Sequence, residues 1–235
     1  MRMNAPGGIV DNETYNLTES QSQLVARFGN FIENDFFPCV AAKAALSRDQ
    51  ISFFVAGHMA CPKDDSDILK FIYDFVDRFR TATTSFHTAC VIFEQPTTIT
   101  DEQFDGLLWN RLQGLADLDA VNYSHDKRVS VDPMSADFSF SLKEEAFYVV
   151  GLNPSSSRAS RRFESPALIF NAHAQFEQLR ALGRYDKMKN IIRKRDMASS
   201  GSINPTLEDF GVASEVYQYS GMRHDAAWKC PLNFA

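Results

Sequence analysis

The sequence predicts an α+β domain with a mixed or mainly antiparallel sheet of about five strands packed with helices. Three observations predict it. Apolar runs of strand length (ISFFVAG, TACVIFE, AFYVVGL and SPALIFN) are interspersed with segments of helical periodicity. The segment 67–81 carries Ile68, Phe71, Ile72, Phe75, Val76 and Phe79 on one helical stripe. No internal repeat or linker-like change of composition divides the 235 residues, which read as one domain over 17–235 behind a flexible polar leader at 1–16.

Taken in order, Thr18 is a candidate N-cap for a helix over 19–34, with Leu24, Phe28, Phe31 and Ile32 on its apolar face. Phe36-Phe37-Pro38-Cys39 interrupts it, and VAAKAAL opens a short second helix. A buried strand at 51–57, the helix at 67–81 and a strand at 88–94 follow, then a helix from Thr100 through Leu118. The polar stretch 122–136 reads as a long loop. DFSFSLKEE alternates apolar and polar residues, and with AFYVVGL it suggests a hairpin turning around Lys143–Glu145, although no Asn-Gly or Asp-Gly marks the turn. SPALIFN is a further strand, and 174–195 a helix with a break at Gly183. The aromatic tail reads as irregular chain wrapped over the core.

Composition narrows the function classes. A formal net charge of −6 argues against general nucleic-acid binding. Four cysteines without a CxxC pair fit neither a zinc scaffold nor a disulfide framework, and they suit a reducing, cytoplasmic setting. No run is long and apolar enough for a membrane span. Twenty phenylalanines suggest a core or pocket walled by rings. GxGxxG, GxxxxGK[ST], HExxH and GxSxG are absent.

The most informative stretch is 146–185, where an apolar strand enters a Ser/Arg-rich turn and a second apolar run leads into a helix. Arg158, Arg161 and Arg162 flank Ser155-Ser156-Ser157, a donor-rich seat for an anion or a solvated basic turn. His173 stands where the apolar run becomes helix, as a hydrogen-bonded core histidine or as a ligand to a metal or heme. Asn171 and Glu177 are candidate partners to orient its imidazole, and Phe170 and Phe176 candidate pocket walls. Cys39, before VAAKAAL, is the competing ligand: a helix N-terminus would lower its thiol pKa. Its bland reading is inert packing, and Cys230 allows the same two readings. Glu215 and Asp225 are carboxylates that could meet a cationic substrate or lie at the surface.

FPCVAAKAAL, LLWNRLQGL, FSFSLKEEAFYVVGLNPSSSRASRRFESPALIFNAHAQFEQLR, GRYDKMKNIIRKRD, NPTLEDFG and SEVYQYSG…WKCPL together resemble the YqcI/YcgG family, in the family's order and over nearly the whole chain from Phe36. Characterised members of that family include heme-dependent N-hydroxylases of guanidino groups, in guanitoxin and D-cycloserine biosynthesis. The resemblance marks Cys39, the Arg158/Arg161/Arg162 turn, His173, Glu177 and Cys230 as family-pattern residues. The chain departs from the pattern at Asn153, where many members have His, and after Ser220-Gly221, where many have Arg and this chain has Met222.

What the resemblance implies is a heme-dependent oxygenase that N-hydroxylates a guanidino or amino group of a small metabolite such as arginine. His173, or alternatively Cys39, would bind the iron. Arg158, Arg161 and Arg162 would hold the propionates, and Glu177 or Glu215 would pair with the guanidinium. Molecular oxygen, an external electron donor and a homodimeric assembly complete the expectation. The alternatives are a non-catalytic heme or small-ligand sensor and a cofactor-free interaction protein.

Overall fold

The computed structural model describes residues 17–83, 86–201, 211–225 and 227–234; the expected leader at 1–16 lies outside them. Five strands form one sheet in the order β1-β2-β5-β4-β3: β1 (Ile51–His58), β2 (Thr88–Gln95), β3 (Phe140–Leu142), β4 (Glu145–Leu152) and β5 (Ala167–Ala172). Strands β1 and β2 run parallel, joined by helix α3 (Asp65–Thr81), and the other pairings are antiparallel. The sheet is therefore mixed, as the α+β reading requires.

Side chains alternate across the sheet and build two cores. On one face Ala89, Val91 and Phe93 of β2, with Leu168 and Phe170 of β5, meet α3 and α4 (Asp101–Asp119). The α3 stripe is buried there through Ile68, Phe71, Ile72, Phe75 and Val76, as its periodicity predicts. On the other face Phe53, Val55, Cys90 and Ile92 meet α1 (Glu19–Glu33) through Leu24, Phe28 and Ile32. Helices α2 (Val40–Leu46), α5 (His173–Ala181) and α6 (Tyr185–Ser200) cover the remainder of this second face.

Local chemistry fixes the element ends. Thr18 and Gln21 close a capping box on α1, and Thr100 and Gln103 close another on α4. Gly183, in the left-handed region at φ 64°, breaks the long helical pattern into α5 and α6. The hairpin turns at Lys143 and Glu144, both at positive φ. Tertiary contacts hold that turn without a glycine: Lys143 N donates to Asp119 Oδ1 at 3.0 Å, and Arg80 donates to the carbonyl of Lys143 at 2.8 Å. Among the described residues of the tail, the short helix α7 (Val216–Tyr219) departs from the expected irregular chain and packs against β4.

Candidate functional site

The second face of the sheet does not close completely. Between it and α1, α2, α5 and α6 lies a cavity of about 320 Å³, partly open to solvent. That volume is at the lower end of the range for small-molecule sites, about 300–1,000 Å³. Its floor is the outward row of the central strands, Cys90, Tyr148, Val150, Ile169 and Asn171, and its rim is aromatic, with Phe28, Phe31, Phe37 and Phe176. The alternation that sends Ile169 and Asn171 into the cavity sends Phe170 into the opposite core, where it is fully buried. Phe170 is therefore not a pocket wall, whereas Phe176 is.

His173 opens α5 and lines this cavity, 7% exposed. Burial lowers its pKa to about 4, so the imidazole is neutral at ordinary pH, the form with a lone pair for a metal. Its Nε2 lies 3.8 Å from Oε1 of Glu215, and its Nδ1 lies 4.0 Å from Oε1 of Glu177. Glu215 is 5% exposed and lines the cavity, with its pKa raised to about 8 by burial. Its other oxygen accepts hydrogen bonds from Ser139 Oγ at 2.7 Å and from Tyr219 Oη at 3.3 Å. Burial thus pushes both members of the pair toward their neutral forms.

Glu177 takes a different position from Glu215. It is 54% exposed at its side chain, pairs with Arg180 one turn along α5, and is not among the cavity-lining residues. It stands beside the outer nitrogen of His173. Asn171 does not orient the imidazole: its Oδ1 accepts from Thr88 Oγ1 at 2.9 Å and its Nδ2 donates to the Tyr148 carbonyl at 3.3 Å.

The three arginines separate. Arg158 reaches the cavity and pairs with Asp196 of α6 at 2.7 Å. Arg161 is buried at the cavity wall, and its guanidinium donates to the carbonyls of Gly151 (3.2 Å), Gln218 (2.7 Å) and Tyr219 (3.0 Å). Arg162 is exposed, donates to the carbonyls of Ser156 and Ser157, and does not line the cavity. The expected common anion seat is thus divided among a cavity ion pair, a structural clamp and a surface turn.

Cys39 lines the cavity and is the N-cap of α2, its Sγ accepting from Ala42 N at 3.4 Å. The expected lowered thiol pKa is corrected: burial outweighs the backbone hydrogen bonds from Ala42 and Ala41 and pushes it up. Cys230 lies outside the cavity lining with a pKa raised to about 12, again chiefly by burial. Asn153 is held by Asp101 and the Ser155 amide, away from the cavity. Asp225 is exposed and caps its own turn at Ala227 N.

Tyr148 and Asn171 line the cavity, as do Gln175, Asp196 and Gln218; of these Asn171 alone was named from the sequence, as a partner of the imidazole. Strand alternation in AFYVVGL and ALIFN carries the signal for the first two, since Tyr148 and Asn171 pair across β4 and β5.

As a seat for heme, the donor set is suitable at His173, a neutral imidazole on an apolar, ring-lined cavity. It is less suitable at Cys39, whose burial favours the protonated thiol. Arg158 places a guanidinium on the cavity wall for a carboxylate.

The fold and site define an α+β domain with a ligand-sized cavity that carries a buried histidine–carboxylate pair. The chain belongs to the YqcI/YcgG family, whose profile matches residues 28–233. No curated protein and no solved structure matches it.

Proposed function

We propose that the cavity is the active site of a heme-dependent N-hydroxylase acting on a guanidino or amino group of a small metabolite such as arginine. The observation that carries the reading is the buried His173–Glu215 pair on the wall of an apolar cavity. When bound, heme supplies the iron chemistry that activates oxygen with electrons from an external donor. His173 would hold the iron through its neutral imidazole, with Glu177 4.0 Å from its Nδ1. Arg158, on the cavity wall, would meet a propionate. Glu215 presents a buried carboxyl to the cationic nitrogen group, and an arriving cation offsets the burial that keeps the carboxyl protonated. The aromatic rim excludes water from the reacting nitrogen. No helix among the described residues is long and apolar enough to cross a membrane.

The test is the response of the heme-reconstituted protein to L-arginine. The reading expects a spectral change on addition of arginine, and its loss in Glu215→Gln with heme content retained. A six-coordinate heme spectrum that arginine leaves unchanged, in a protein that forms no N-hydroxylated product, would favour a sensor instead.

A further inference from the structure

Gln175, on the first turn of α5, is 2% exposed and lines the cavity. Its Nε2 donates to the backbone carbonyl of His87 at 3.2 Å, which fixes which way the amide faces. The side-chain carbonyl Oε1 is buried and has no hydrogen-bond donor among the described residues. A buried acceptor left without a donor is costly, so a site that keeps one invites a partner from outside the protein.

The neighbouring polar groups say what kind of partner. Thr88 donates its hydroxyl to Asn171, and Asn171 donates its amide to the carbonyl of Tyr148. The Tyr148 hydroxyl donates to Gln218, Arg158 is paired with Asp196, and Arg161 is engaged by three carbonyls. The protein thus supplies partners for these cavity donors and leaves an acceptor over. Glu215 adds a second acceptor once an arriving cation ionises it, and its Oε1 lies 3.8 Å from His173 Nε2, beyond hydrogen-bond length. Such a wall matches a ligand rich in N–H groups and repels one that turns a carbonyl oxygen toward it.

We propose that Gln175 is a specificity-determining residue of the cavity, its side-chain carbonyl accepting a hydrogen bond from an N–H group of the ligand. The assignment rests on the guanidino reading above and deepens it. Glu215 supplies charge complementarity, and Gln175 supplies discrimination between a guanidinium and its neutral, carbonyl-bearing isostere.

The experiment is calorimetric binding of L-arginine and L-citrulline to the full-length, heme-reconstituted protein, as wild type, Gln175→Met and Gln175→Glu. Gln175→Met keeps the length of the side chain and removes the acceptor, while Gln175→Glu keeps an acceptor. The expected result is an arginine affinity lowered about tenfold in Gln175→Met and retained in Gln175→Glu, with citrulline affinity and heme content unchanged. Equal weakening of both ligands in Gln175→Met assigns a merely structural role and overturns the proposal, as does wild-type arginine affinity in that variant. In either case the guanidino reading survives, because the wild type binds arginine. A wild type that binds heme but no arginine removes that reading and this assignment together.

Discussion

The imidazole Nε2 of His173 and the carboxyl Oε1 of Glu215 lie 3.8 Å apart on the cavity wall, and burial drives each toward its uncharged form. His173 comes from the strand-to-helix junction at the end of β5, and Glu215 from the residue before α7. They meet only because α7 packs back against β4.

The pair makes stability depend on pH in a defined way. Glu215 has a folded pKa raised to about 8, so the folded protein holds this proton more tightly than the unfolded chain does, and stability falls as pH rises toward 8. His173 has a folded pKa lowered to about 4, so its effect is opposite, and stability is lost as pH falls below the ordinary histidine range. Between about pH 6.5 and 8 only the Glu215 contribution remains, with a limiting slope of about 1.4 kcal/mol per pH unit. Urea titrations of the cofactor-free protein should therefore show stability declining over that interval, and a flatter profile in Glu215→Gln. An unchanged profile in Glu215→Gln would contradict the burial of this carboxyl.

Cys39, partly buried on the cavity wall, should behave as a protonated thiol. Its pKa is raised, so alkylation of the native protein at neutral pH should be slow at this position and should accelerate on unfolding. Mass spectrometry after timed iodoacetamide treatment reads this directly. Rapid labelling of native Cys39 at neutral pH would restore the thiolate as a candidate ligand.

Arg161 is a clamp whose loss should be felt in folding. Arg161→Ala strips donors from three backbone carbonyls and should cost roughly 3 kcal/mol or more. Gly221→Ala tests the same junction, because Gly221 sits at φ +81° and an added Cβ would come within 2.8 Å of Arg161 Cδ. Thermal melts should show both variants destabilised, and a wild-type melting temperature in either would remove the clamp.

Gly151 of β4 lies against Leu108 and Phe104 of α4. A Cβ there would lie 2.7 Å from Leu108 Cδ1 and 2.9 Å from the Phe104 ring. Gly151→Ala should destabilise by about 1–3 kcal/mol through overpacking. A neutral result in denaturant titration would show that α4 can shift away from the sheet.

These predictions also mark where the sequence was legible. Helix α3 could be read because its stripe repeats at helical spacing, and the α1 and α4 starts because Thr18 and Thr100 are followed three residues later by glutamine. The insertion of β5 between β2 and β4 could not be read, since strand pairing is decided by tertiary packing. Within the site, His173, Cys39, Arg158 and Glu215 were named from sequence and line one cavity. Arg161 and Arg162 look equivalent in the sequence, yet one is buried against carbonyls and the other is at the surface. Burial likewise decided the direction of the Cys39 shift, and no local pattern records it. Gln175 carried no sequence signal, because its interest lies in a missing partner.

Heme ligation by His173 can be read from an absorption spectrum. The absorption spectrum of heme-reconstituted protein is recorded oxidised, then reduced under carbon monoxide, for the wild type, His173→Ala and Cys39→Ala. A Soret band with an imidazole-type carbon monoxide form is expected, lost or altered in His173→Ala and kept in Cys39→Ala. No Soret band in the wild type, or a spectrum unchanged by both substitutions, would contradict it.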